Sequence, residues 1–76
     1  MDDVFVAIDF ETADRHRDSA CALAMVRVES GEIVKTEHRL IKPPRMYFEF
    51  TYIHNITWDM VASEPDFQEL WPSMKN

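Results

Sequence analysis

Seventy-six residues allow one domain at most, and a chain that short buries only about 60% of the surface its unfolded form exposes. Eight basic residues stand against fourteen acidic ones, a net charge of −6, so the surplus of cations that simple phosphate binding requires is missing. Nucleic acid could be handled only if divalent metal neutralised carboxylates or another part of the protein supplied cations. The single Cys excludes an internal disulfide and the single Gly excludes a phosphate-cradling glycine-rich loop. No apolar run approaches the roughly 18 residues of a membrane span, and the acidic start Met1-Asp2-Asp3 is wrong for a signal or transit peptide. The expectation is a soluble, reduced, cytoplasmic chain with no membrane partner.

The chain opens with Val4-Phe5-Val6-Ala7-Ile8-Asp9-Phe10-Glu11. A short, nearly continuous apolar run of this kind predicts a strand covered on both faces. Residues 12–19 are polar and aperiodic and read as a loop. Ala20 to Glu29 predicts a second strand, with Ala22, Ala24, Val26 and Val28 on one face and Cys21, Leu23 and Met25 on the other. Ser30-Gly31 is a turn signal. Ile33 to Lys42 predicts a third strand whose second face is mostly charged, which suits an edge. Lys42-Pro43-Pro44-Arg45 stops it, because proline has no donor for the ladder.

Met46 to Ile53 is aromatic-rich and fits either an extended segment or a loop packed on the core. Thr57 is a candidate cap for a short helix over Trp58 to Ser63. Asp66 and Glu69 have the spacing of a capping box, and Phe67, Leu70, Trp71 and Met74 fall on one face of the helix they open. Pro72 is expected to bend or restart that helix. Asn76 could cap it, but the order β-β-β-α-α covers only one face of a sheet whose first strand is apolar on both. That mismatch points to a truncated domain.

Asp9-Phe10-Glu11 is the feature richest in chemistry. Residues two apart on a strand point to one face, which sets two carboxylates about 7 Å apart at Cα. Such a pair repels unless a cation intervenes, and hard divalent ions such as Mg2+ or Mn2+ take oxygen ligands. The same D-x-E pattern also arises where any strand leaves a core. His54, in a loop before a helix, could reach a phosphate or sugar, or could simply bond to backbone. Arg15, His16 and Arg17 could contact phosphate, or form a solvated loop beside Asp14 and Asp18. The aromatics from Tyr47 to Tyr52 could stack bases or fill the core. His38 reads as structural. Cys21 reads as a small core residue, with no His and acid placed to activate it.

Phe5-Val6-Ala7-Ile8-Asp9-Phe10-Glu11-Thr12-Ala13 resembles the first motif of the DEDD superfamily of 3′–5′ exonucleases, in the branch of the DNA polymerase III epsilon subunit. Ile53-His54-Asn55-Ile56-Thr57 is similar to that family's Ile-His-Gly-Ile-Thr segment, with Asn where the family has Gly. Pro65 to Pro72 is similar to the helix that leads toward the second motif. The resemblance implies an α/β, ribonuclease-H-like exonuclease fold, here a three-stranded antiparallel sheet plus one or two helices. It makes residues 1–76 the N-terminal portion of a single, incomplete exonuclease domain. It further implies that Asp9 and Glu11 are catalytic and ligate Mg2+ or Mn2+. Phe10, Thr12 and Ala13 would line the terminal nucleotide, Thr12 through its backbone, and Ile53 and His54 would border its base or sugar.

The resemblance implies a nucleic-acid 3′ end as partner, DNA before RNA. The later acids and the general base of the family have no counterpart in the chain, so the fragment alone is expected to be inactive. An alternative from another class is a non-catalytic interaction module that retains half of the exonuclease fold. In the complete fold the first strand is central. Here its outer edge would be bare and apolar, which predicts self-association through that edge.

Overall fold

The computed structural model describes residues 3–74, with Met1, Asp2, Lys75 and the candidate cap Asn76 outside the described residues. Three antiparallel strands form one sheet in the order β1-β2-β3: β1 Val4–Thr12, β2 Ala20–Glu29 and β3 Glu32–Leu40. The β2–β3 hairpin turns on Ser30 and Gly31 at φ 51° and 82°. Positive φ at both central residues gives the turn whose twist matches the flanking strands, and Gly31 takes the second position without steric penalty. β3 begins one residue before the expected Ile33 and ends at Leu40, not Lys42. Ile41 N–H still donates to the Cys21 carbonyl (2.8 Å) and Lys42 N–H has turned to the Pro65 carbonyl (3.0 Å).

Three short helices follow: α1 Thr51–His54, α2 Trp58–Val61 and α3 Phe67–Met74. α1 lies in the aromatic segment left open by the sequence, so there is one helix more than expected. It closes at Asn55, whose φ of 64° is left-handed. Asn tolerates that conformation better than most residues, which is how it can stand where a glycine is the simpler choice. α2 is shorter than expected, and Thr57 does not cap it through its side chain. The Thr57 carbonyl accepts from Met60 N–H instead (3.1 Å). α3 opens with the expected capping box: Glu69 N–H donates to Asp66 Oδ1 (2.8 Å) and Asp66 N–H to Glu69 Oε1 (3.1 Å). It runs through Pro72 as one helix, so the expected restart does not occur.

Two small cores flank the sheet at one end. On one face Leu23 and Ile41 pack with Leu70 and Met74 of α3. Phe10 meets Phe67 edge-to-face at 5.9 Å between ring centroids, and Phe67 stacks on Trp71. On the opposite face Ala22 joins Ala13, Cys21, Ile56 and Val61, with Leu40, Phe48 and Trp58 packed around them. Cys21 is the extra residue of a β-bulge, since the register steps from Glu11↔Ala22 to Thr12↔Ala20. Beyond this end the second face has no helix over it among the described residues. β1 is exposed on both faces from Val4 to Phe10, because the cores reach only its last residues; the expected covering of both faces is not seen among the described residues.

Candidate active site

Asp9 and Glu11 stand opposite Ala24 and Ala22 of β2. Alternation puts both carboxylates on one face of β1, away from α3, and sets Phe10 on the α3 face between them. Their cross-strand neighbours are alanines, which leave room above the sheet. Neither carboxylate has a hydrogen bond or ion pair among the described residues. An arginine that neutralised the pair would have ended the metal reading, and none does so. The donor set fits a hard divalent cation: two anionic oxygen ligands with no competing partner. No third His, Cys, Asp or Glu completes a cluster among the described residues.

Beside the pair lies an open cleft of about 220 Å³ lined by Phe10, Glu11, Thr12, Phe50, Ile53 and His54. The structure therefore brings five of the residues singled out in the sequence to one depression, although 44 positions separate Phe10 from His54. Asp9 precedes the cleft on the strand and does not line it. Ala13 does not line it either: it is buried in the core, and its carbonyl accepts from Glu49 N–H (2.7 Å) and Phe50 N–H (3.1 Å). Those two bonds draw the aromatic segment against the tip of β1 and set Phe50 in the cleft wall. Phe50 was marked only as one of the four aromatics from Tyr47 to Tyr52, because nothing local distinguishes it from the other three.

His54 holds the cleft together. Ile56 N–H donates to His54 Nδ1 (3.0 Å), so Nδ1 carries no proton and Nε2 donates to the Thr12 carbonyl (2.9 Å). The imidazole thus ties α1 to the end of β1 in its neutral form. Both alternatives open in the sequence meet here: the ring is bonded to backbone, and it borders the cleft. Cys21 Sγ lies 3.9 Å from Nε2, but that nitrogen's proton is committed to Thr12. Burial, with the nearby Glu11 charge, pushes the Cys21 thiol up to about 11. A protonated thiol is a poor nucleophile, so the core reading of Cys21 stands, although a His does approach it.

The loop after β1 is built rather than solvated. Asp14 and Ser19 are buried. Asp14 Oδ1 accepts from His16 N–H (2.7 Å) and from the His16 ring (2.9 Å), while Arg45 Nε donates to Asp14 Oδ2 (3.2 Å) and its far nitrogens reach Asp18. Burial opposes the Asp14 charge, yet the His16 amide and the Arg45 guanidinium outweigh it and hold the carboxyl well below the usual range. Arg45 is in turn raised by Asp18 and Asp14. Arg15 pairs with Glu49 (3.0 Å). Of the basic cluster only Arg17 has no carboxylate partner among the described residues. It lines a second, largely apolar depression with Phe10, Thr12, Asp18, Ala20 and Phe67. An Asp two residues before the amide it accepts from is a turn signal that the sequence does carry. Arg45, 31 positions away, has no local signal.

Comparison with known proteins agrees with this geometry. The family model described as Exonuclease (RNase_T) matches residues 6–76. The chain is 34% identical over 74 residues to the PolC-type DNA polymerase III of Thermotoga maritima, and 34% identical over 71 residues to that of Thermotoga petrophila. These matches take in 93% and 90% of the chain but only 5% of either polymerase. Among solved structures, Exonuclease X in complex with 5′ overhanging duplex DNA superposes with a TM-score of 0.80 at 32% identity, covering 90% of this chain and 41% of that one. The sheet and short helices are those of the ribonuclease-H-like exonuclease fold, and the chain belongs to the DEDD-superfamily exonuclease family, matching its N-terminal part.

Proposed function

We propose that residues 1–76 form the N-terminal portion of a metal-dependent 3′–5′ exonuclease domain and furnish its first metal-binding carboxylate pair, Asp9 and Glu11. The observation that carries this is the pair itself: two carboxylates on one strand face, free of any cationic side chain, at the rim of a cleft shaped by Phe10, Thr12, Ile53 and His54. Mg2+ or Mn2+ held by Asp9 and Glu11 would neutralise their charge and make a bound water easier to deprotonate to hydroxide. The chain's own residues orient the strand end. Thr12 presents backbone to a terminal nucleotide, Ile53 offers an apolar wall, and neutral His54 fixes both elements relative to each other.

The substrate is the 3′ end of a DNA strand. Exonuclease X, the structural relative, is seen with duplex DNA, and the net charge of −6 makes metal, rather than basic side chains, the means of accommodating phosphate. The chain alone is inactive as a nuclease, because two carboxylates cannot fix two metals and the one imidazole that lines the cleft among the described residues, His54, has both ring nitrogens engaged by backbone. The test is a Mn2+ titration followed by NMR. Broadening is expected to centre on Asp9 and Glu11 and to vanish in Asp9→Asn. Broadening spread evenly over the acidic surface would overturn the site. Metal-dependent 3′ trimming by the purified chain would overturn its inactivity.

A further inference from the structure

We infer that Arg45, which does not line the cleft, is a positioning residue for it: by bridging Asp14 and Asp18 it fixes the Thr12 and Ala13 backbone where a terminal nucleotide would lie. This role rests on the proposed metal pair Asp9 and Glu11 and on Thr12 as the residue that meets the nucleotide. Arg45 Nε donates to Asp14 Oδ2 (3.2 Å), Nη1 donates to Asp18 Oδ2 (3.3 Å) and Nη2 donates to Asp18 Oδ1. One planar guanidinium thus spans two carboxylates from the two ends of the turn that follows β1. Inside that turn Ala13 N–H donates to the Ser19 carbonyl (2.8 Å), Asp14 N–H to Ser19 Oγ (3.2 Å), and Ser19 Oγ to the Asp14 carbonyl (2.8 Å). Asp14 and Ser19 are both buried, so the turn moves as one piece with the end of β1.

Residues 12–15 are laced, one after another, to residues 45–54. The Thr12 carbonyl accepts from His54, the Ala13 carbonyl from Glu49 and Phe50, and the Asp14 carboxylate from Arg45, while Arg15 pairs with Glu49. Pro43 and Pro44 precede Arg45 and restrict its approach. Stability alone does not call for a buried carboxylate here. Its desolvation is offset only by well-placed partners, and apolar side chains of similar volume often hold a turn as well. What the pair adds is direction: a forked, charge-assisted contact admits one orientation of Asp14, and Thr12 lies two residues before it. Arg45 is not itself placed for phosphate. With Asp14 and Asp18 it forms a group of one cation and two anions, and both edges of its fork are occupied.

Two NMR titrations of the 76-residue chain separate this role from a merely structural one. Mn2+ alone reads the Asp9 and Glu11 pair. Deoxythymidine 5′-monophosphate in excess Mg2+, followed through the amides of Thr12, Ile53 and His54, reads the cleft. Arg45→Lys keeps the charge and loses the fork. It is expected to weaken nucleotide binding about tenfold, because small misplacements of binding groups are costly, and to leave Mn2+ binding unchanged. Asp14→Asn should do the same. The double variant should be no weaker than either single one, as for two residues acting along one path. Full rescue by lysine, an added loss in the double variant, or equal loss of Mn2+ and nucleotide would overturn the role. So would a wild-type chain that holds Mn2+ at Asp9 and Glu11 yet shows no nucleotide shifts at Thr12. Mn2+ spread over the acidic surface of the wild type fails differently, since it removes the metal pair before any variant is made. Should Arg45→Lys not fold, Asp18→Asn decides: it releases only the exposed arm of the fork, and nucleotide binding that it leaves untouched would overturn the role.

Discussion

β1 and β3 both stand at an edge of one sheet, each nine residues long and each paired on one side with β2, yet they are written for different surroundings. β3 places Lys35, Glu37 and Arg39 along one face and links them at 3.2 and 3.8 Å through Glu37. Those pairs add little stability, but they keep the strand solvated and unattractive to another strand. β1 offers Phe5, 54% exposed, with Val4, Val6 and Ile8 beside it and no charge before Asp9. β3 is a strand made for an edge, and β1 is an interior strand standing at one. The chain spans 41% of Exonuclease X and 5% of the PolC-type polymerases that it matches.

The comparison collapses first if the strand between the edges is damaged. Leu23 is fully buried and lies in both ladders, opposite Phe10 and Arg39. Leu23→Ala should cost about 2–5 kcal/mol, a large share of what a domain this small can hold, and urea denaturation should show most of the transition lost. His54→Ala comes next. It removes the acceptor of Ile56 N–H and the donor to Thr12, and two such bonds are worth about 1–3 kcal/mol together. Hydrogen exchange should quicken at Ile56 and around α1 while the β2–β3 hairpin is unchanged. A uniform increase would mean that the cleft end and the hairpin are one cooperative unit.

Acid reports on the loop that joins the β1 tip to the rest. The Asp14 carboxyl lies below its ordinary value of 3.8, so its contribution is fully present above that pH and is lost as the pH falls through it toward the folded value. Asp14→Asn should flatten the acid limb of a melting-temperature profile below about pH 4, and Arg45→Ala should lower the whole profile because it leaves the buried carboxylate without its cation. This network also marks where sequence reading runs out. β1, β2, the Ser30-Gly31 turn and the Asp66/Glu69 capping box were legible because period, turn chemistry and capping act within a few residues. The D-x-E pair was legible for the same reason. The Asp14–Arg45 pair, the His54–Thr12 bond and the bulge at Cys21 were not, since they depend on partners 31, 42 and 10 positions away, brought together only by the folded sheet.

The smallest effect separates the two edges most cleanly. Ala7, Val26 and Thr36 form one row across the sheet, on the face that carries Asp9 and Glu11. Ala7→Lys and Thr36→Lys each put one charge on an exposed edge position of that row, flanking the same central residue. In the monomer both should shift stability by no more than about 0.5 kcal/mol, so thermal melts of dilute samples should be nearly superimposable. Any small difference should favour Ala7→Lys, which would stand on the strand face of Asp9 two residues away, whereas Thr36→Lys has Val34 and His38 at that spacing. Melts in the opposite order would mean that the face carrying Asp9 and Glu11 is not the acidic one that strand alternation requires.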